Sequence, residues 1–252
     1  MEPYLDPPPT PRALAAPPAG GPVVVLAPHP DDEWIGPGGT LLLHRARSER
    51  VHIVVVTDGA SDGNAGTAAE RDTRVAERAA ESRAFAVAIG ATVELLGHPD
   101  GRRAREEDLG VLVPQLAAIL ARERPGVIYA PHQDEVHGDH HVVALAAARA
   151  LARWRREAAG EERGPPDGGD AARACELWAY EVWGTLAAEV VVDVSPVMER
   201  KLELARCFPS QLRHTAITHA FAGLNAWRSA FLPKGATHGE GFRRIRADER
   251  AR

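Results

Sequence analysis

Between residues 23 and 157 the sequence alternates short apolar, β-branched runs with longer stretches of helix formers, and this alternation constrains the fold more than any other feature. Val23–Leu26, His52–Thr57, Thr92–Leu96 and Gly126–Ala130 read as strands, bounded by Gly and Pro signals. Leu41–Ser48, Glu70–Ile89, Asp108–Glu123 and Val142–Glu157 read as helices. The second of these stops at Gly90, a residue suited to a left-handed cap. The third carries Leu109, Leu112, Leu116, Ile119 and Leu120 on one stripe, with Pro114 predicting a kink or a later start. Leu177–Trp183 and Glu189–Val194 add two strands, and Pro196–Ala205 a helix opened by proline. Strands separated by helices imply βαβ units, so the predicted class is α/β: a Rossmann-like, three-layer α/β/α fold around a mostly parallel sheet.

Residues 1–22, which include Pro7, Pro8, Pro9, Pro17 and Pro18, predict an extended arm outside the fold. Residues 23–252 are expected to form one domain, with a Gly-, Pro- and charge-rich surface excursion near 158–174. The last 45 residues lack a clear pattern, and Arg243–Arg252 is expected as a solvated end. Composition narrows the function classes. Lys plus Arg is 30 against 35 Asp plus Glu, a net charge of −5 that gives no support to nucleic-acid binding. No apolar run approaches the roughly 18 residues that a membrane span needs. The two cysteines, Cys175 and Cys207, cannot build a disulfide framework or a Cys-rich zinc site. With no basic start before an apolar run, no secretory signal is expected, and a reduced, cytoplasmic location is the expectation.

In a parallel sheet the ligand sits beyond the carboxyl ends of the strands, where the strand order reverses. Two of the loops at those ends are rich in metal-type ligands. One reads Ala27-Pro28-His29-Pro30-Asp31-Asp32-Glu33, and in the other, His132–His141, seven of ten residues are His, Asp or Glu. Imidazole nitrogens with a carboxylate suit zinc or another late first-row divalent ion. His29 and Asp32 lie three apart across a tight turn, and His140 can complete a three-ligand set. The spare carboxylate, Asp31, is placed to take a proton from a water at the ion. Asp139 beside His137 could fix its tautomer and favour its charged form, suited to an oxyanion or a leaving amine; it could equally cap the helix expected from Val142.

These motifs resemble the PIG-L/LmbE-like family of zinc-dependent de-N-acetylases, which includes N-acetylglucosaminyl-phosphatidylinositol deacetylases. Pro28-His29-Pro30-Asp31-Asp32-Glu33 followed by Gly36, Gly38 and Gly39 is similar to the family's strand-end signature, and His137-Gly138-Asp139-His140 to its His-x-Asp-His element. Thr57-Asp58-Gly59, Arg78-x-x-Glu81, Asp100-Gly101, Tyr180–Trp183, Val192–Ser195 and Ser210–Leu212 fall in the family's order, from about residue 22 to about residue 212. The resemblance implies His29, Asp32 and His140 as zinc ligands and Asp31 as general base. It implies His137, oriented by Asp139, as acid or oxyanion partner, and Arg78 and Asp100 as contacts to sugar hydroxyls. From the residues alone, Arg78 and Glu81 could instead be an exposed ion pair, and Asp100 a turn residue. The chain departs from the pattern at Pro37, Gly138 and Ala60, where family members often carry Cys, Pro and Glu; the last position lies near the substrate.

The expected activity is hydrolysis of an N-acetyl group on an N-acetylglucosaminyl-type small molecule. A metal-dependent amidase acting on a thiol conjugate or another non-acetyl amide is an alternative. So is a non-catalytic protein that binds a sugar or nucleotide. A phosphoesterase is disfavoured, since neither a second carboxylate-rich cluster nor a phosphate-cradling loop is evident. His132 and His141 read as supports to the ligands or as solvated residues. Trp178, Trp183 and Trp227 read as core or as sugar contacts.

Overall fold

The valine and isoleucine runs occupy the middle of one eight-stranded sheet. Its strands are β1 (Arg12–Leu14), β2 (Val23–Ala27), β3 (Val51–Thr57), β4 (Thr92–His98), β5 (Val127–Pro131), β6 (Glu176–Tyr180), β7 (Val190–Asp193) and β8 (Gly239–Ile245), ordered β1-β7-β8-β6-β5-β2-β3-β4. Every neighbouring pair is parallel except those made by β8, which runs antiparallel to both β6 and β7. The structure, a computed structural model, describes residues 10–60, 66–101, 106–160, 168–213 and 216–246. Helices follow the strands: α1 (Asp32–Ile35), α2 (Gly38–Ala46), α3 (Ala68–Ile89), α4 (Glu106–Glu123), α5 (Gly138–Gly160), α6 (Gly168–Ala174), α7 (Met198–Glu203), α8 (Pro209–Leu212) and α9 (Ile217–Arg228).

Alternate residues of β2 and β3 face opposite layers, as strand geometry requires. Val23, Val25, Ile53 and Val55 pack with Leu41 of α2, Phe85 of α3 and Phe221 of α9. Val24, Leu26, Val54 and Val56 pack with Leu112, Leu116 and Leu120 of α4 and with Val143, Ala147 and Leu151 of α5. Both faces are covered, so β2, β3 and β5 are apolar along most of their length and wholly buried. The result is the expected three-layer α/β/α arrangement.

Local chemistry sets the element ends. α3 starts at Ala68, not Glu70, because Thr67 and Glu70 form a reciprocal capping box; it ends on Gly90 at φ 70°. α4 continues through Pro114. α5 starts at Gly138, four residues before the expected Val142, so Asp139 and His140 lie within its first turn and Asp139 does not precede it as a cap. The polarity of residues 137–141 disguised that turn as loop. The segment expected as the helix Pro196–Ala205 is split into 3₁₀ turns on either side of α7.

Three further expectations are corrected. Arg12–Leu14 is not outside the fold: it pairs with Val190–Val192, and Arg12 N–H donates to Glu189 O at 2.9 Å. Part of the expected excursion is helical, since α6 packs against α5 with Ala172 in the core; residues 161–167 lie outside the described residues. Arg243–Ile245 belongs to β8, where Arg244 Nη2 meets Glu176 Oε1 at 2.7 Å, and is not a solvated end.

Candidate metal centre

Strand order reverses between β2 and β5: β3 lies on the outer side of β2 and β6 on the outer side of β5. The loops leaving these two strands therefore diverge around a crevice. The β2 loop carries His29 and Asp31, and Asp32 opens α1 directly after it; the β5 loop and the first turn of α5 carry His137, Asp139 and His140. Gly36 lets the first loop fold down onto the sheet, since a Cβ there would lie 2.2 Å from the Tyr180 ring.

Three donor atoms converge in that crevice. His29 Nδ1 and Asp32 Oδ2 are 3.2 Å apart, His140 Nε2 and Asp32 Oδ2 are 3.2 Å apart, and His140 Nε2 and His29 Nδ1 are 3.2 Å apart. A tetrahedral ion with bonds of about 2.0–2.1 Å spaces its donors by roughly 3.3 Å, so this triangle has the dimensions of one face of such a site. Two imidazole nitrogens and a carboxylate oxygen pointing at one another are satisfied by a cation. The residues present thus fit a divalent first-row ion.

His29 uses both ring nitrogens. Its Nε2 lies 3.2 Å from Asp139 Oδ2 and 3.2 Å from Asp100 Oδ1. A carboxylate on the far nitrogen fixes which nitrogen bears the proton and aims the other at the ion, the usual support of a metal-binding histidine. Burial pulls the His29 pKa down, but its bonds to Asp100, Asp139 and Asp32 outweigh this and hold it well above the ordinary value. Those carboxylates favour a positive charge here, whether proton or metal. Burial alone would raise Asp32; the charge of His140 and hydrogen bonds from both histidines instead hold it far below the carboxylate range.

Asp31 stands beside the triangle. Burial pushes its carboxyl up to about 6, opposed chiefly by the Arg78 guanidinium, whose Nη2 lies 3.3 Å from Asp31 Oδ2. Its backbone is strained, with φ at 130°. Arg78 is not the exposed partner of Glu81 that spacing allowed. It is buried, and Nη1 donates to Ser210 Oγ at 3.3 Å and lies 3.7 Å from Glu81 Oε2. Its terminal nitrogens serve Asp31 and α8, where a sugar contact was expected. Asp100, expected at the sugar too, sits against His29.

His137 also departs from expectation. Asp139 Oδ2 accepts from Gly101 N–H at 2.8 Å and lies 3.2 Å from His29, but 3.8 Å from His137 Nδ1. Asp139 therefore orients His29, and the expected charged His137 is not favoured. Burial, then the charges of His29 and His140, lower its pKa. The Asp139 N–H donates to His137 Nδ1 at 3.4 Å, which leaves the N–H on Nε2. The His137 ring stands edge-on to His29, with centroids 4.6 Å apart, and its side chain is 43% exposed against 12% for His29.

Sequence reasoning missed several supports. The Glu33 carboxylate accepts from the Asp31 N–H and from the Ser82 hydroxyl. Glu135 accepts from the amides of Val182, Trp183 and Gly184, tying the β5 and β6 loops together; His132, which the sequence offered as a support or a solvated residue, is buried there, with Nε2 3.0 Å from Gly184 O. Trp178 is buried, while Trp183 and Trp227 are half-exposed.

A mostly parallel α/β sheet with two histidines and a carboxylate clustered at its switch point defines a class of α/β proteins whose strand-end loops can hold a metal ion. Within it, the family described as GlcNAc-PI de-N-acetylase (PIG-L) matches residues 24–151, and the chain belongs to that family. A probable N-acetyl-alpha-D-glucosaminyl L-malate deacetylase 2 of Bacillus cereus is 30% identical over 139 residues, 54% of this chain and 63% of that protein. The chain thus matches less than two thirds of that relative's length. Among solved structures, the N,N′-diacetylchitobiose deacetylase of Pyrococcus horikoshii superposes with a TM-score of 0.70 at 23% identity, covering 91% of this chain and 85% of that one. The 4-carboxy-2-hydroxymuconate hydratase GalB of Pseudomonas putida KT2440 superposes with a TM-score of 0.67 at 18% identity, over 90% and 96% of the two chains. Both share the fold, and their different reactions show that the fold alone does not decide the chemistry.

Proposed function

We propose that the protein is a metal-dependent hydrolase that removes an N-acetyl group from an N-acetylglucosaminyl-type amino sugar or its conjugate, releasing acetate. The observation that carries this reading is a buried Asp31 carboxylate, on a strained backbone, beside the His29, Asp32 and His140 triangle. A pure binding site has no need of a strained base next to a complete ligand set. Family membership and the Bacillus cereus relative favour amide hydrolysis over the hydration chemistry of GalB.

His29, Asp32 and His140 would hold zinc or another first-row divalent ion, oriented by Asp139 and Asp100 behind His29. Such an ion supplies a Lewis acid for the amide oxygen and makes a neighbouring water more acidic. Asp31 accepts the proton as the water oxygen attacks the acetyl carbon. His137, on the open side of the cluster, donates its Nε2 N–H to the oxygen that becomes negative. Asp31 then returns the proton to the sugar nitrogen as the C–N bond breaks, leaving acetate and a free amine. Arg78 keeps the Asp31 carboxylate aimed.

Acetate release from N-acetylglucosamine, chitooligosaccharides and N-acetylglucosaminyl conjugates, before and after chelation, tests the reading. Turnover lost on chelation and restored by added zinc supports it. Turnover confined to non-acetyl amides supports the broader amidase. Binding without turnover across the panel supports a sugar-binding protein.

A further inference from the structure

The tight turn after β2 is built around one improbable residue. Asp31 has φ 130° and ψ −26°, a conformation that a side-chain-bearing residue keeps only where its surroundings fix it. Its amide N–H donates to Glu33 Oε2 at 2.9 Å. The second carboxylate oxygen, Glu33 Oε1, accepts from the Ser82 hydroxyl at 2.7 Å. Glu33 and Ser82 are both 0% exposed. One turn earlier on the same face of α3, Arg78 Nη2 lies 3.3 Å from Asp31 Oδ2. α3 therefore grips Asp31 at two points, its carboxylate through Arg78 and its backbone through Glu33. Asp32 is pinned separately, by the His29 N–H donating to its Oδ2 at 2.8 Å.

We propose that Glu33, braced by Ser82, is a positioning residue that holds Asp31 in its strained conformation and so sets the aim of the proton acceptor independently of the metal ligands. The inference rests on the reading of Asp31 as general base. Without the acceptor at Oε2, the Asp31 peptide is free to relax toward negative φ and carry the carboxylate off line. A displacement of about 1 Å costs on the order of 100-fold in rate.

The test compares Glu33→Gln, Glu33→Met, Ser82→Ala, Ser82→Ala with Glu33→Met, and Asp31→Asn, assayed by acetate release from N,N′-diacetylchitobiose, with metal content measured on each sample. Gln retains an oxygen for the Asp31 N–H while its amide faces the Ser82 hydroxyl, so kcat falls no more than about threefold. Met fills the volume without an acceptor, and kcat falls about 100-fold while KM and metal content hold. Ser82→Ala loses one supporting hydrogen bond, worth roughly fivefold in kcat. The double variant is no slower than Glu33→Met, because both act through one path. A crystal structure of Glu33→Met shows residue 31 out of its 130° φ, a readout that needs no turnover. Wild-type kcat in Glu33→Met, an unmoved φ there, or a Gln variant as slow as the Met variant overturns the proposal. If Glu33→Met does not fold, Ser82→Ala and Glu33→Gln carry the test, and full kcat in Ser82→Ala overturns it. Turnover that survives Asp31→Asn sinks the base assignment instead, and leaves the φ comparison to judge the brace.

Discussion

At the scale of single residues, the site depends on where each carboxylate lies relative to positive charge and burial. Asp31, pushed up to about 6 by burial, is protonated as pH falls through that value and then cannot accept a proton. A cation among His29, Asp32 and His140 favours its ionised form further, so the acid limb of kcat/KM is expected at or below about pH 6. Asp31→Asn is expected to lower kcat at least about 100-fold; a limb above pH 7, or one that persists in the Asn variant, would contradict the assignment. The cysteines give a separate check. Burial pushes the Cys175 thiol up to about 12 and also raises that of Cys207, which is only partly buried and so open to reagent. Iodoacetamide at pH 8 is expected to label Cys207 first, and Cys175 only on unfolding, as read by mass spectrometry. The triangle of His29, Asp32 and His140 was legible in the sequence because its members sit in two dense ligand motifs. The support of Asp31 was not: Arg78 reaches it from α3, Ser82 stands behind Glu33 and Ser210 behind Arg78, and the spacing of Arg78 and Glu81 alone reads as an exposed ion pair.

At the scale of elements, helix ends decide which side chains meet. The early start of α5 at Gly138 puts His140 and Asp139 on a rigid first turn, and nothing in the run of polar residues distinguished that turn from loop. A second joint lies under the β2 loop. Glu240 on β8 accepts from the Gly39 and Thr40 amides at the start of α2, at 2.7 and 2.8 Å. Lys201 Nζ donates to Glu240 Oε1 at 2.7 Å, to Asn225 Oδ1 at 3.0 Å and to Ile35 O at 2.9 Å. Both charges are buried. Lys201→Met leaves Glu240 without its counter-charge and is expected to destabilise by about 3–5 kcal/mol in urea unfolding; a change below about 1 kcal/mol would show that the pair does not anchor the turn. This joint escaped sequence reading because residues 201, 225 and 240 meet only through tertiary packing.

At the scale of the whole molecule, the parallel core from β2 to β6 was legible because periodicity and turn residues agree there, and the switch point followed from it. The far side of the sheet was not. β8 enters between β6 and β7 from the opposite direction, and the three-residue β1 adds an edge from a proline-rich segment that composition assigned to an arm. Removing residues 1–16 is expected to lower Tm by a few degrees, since about 1 kcal/mol moves a chain of this size by roughly 2–4 °C, while leaving acetate release intact; loss of turnover in the folded truncation would show that the edge strand reaches the site. Everything functional depends on β2 and β5 delivering their loops to one point. The most direct test is an anomalous diffraction map of zinc-soaked crystals recorded at the zinc edge. The account predicts a peak about 2.0–2.2 Å from His29 Nδ1, Asp32 Oδ2 and His140 Nε2; no peak there, or a peak bound instead to His29 Nε2, Asp100 and Asp139, would contradict it.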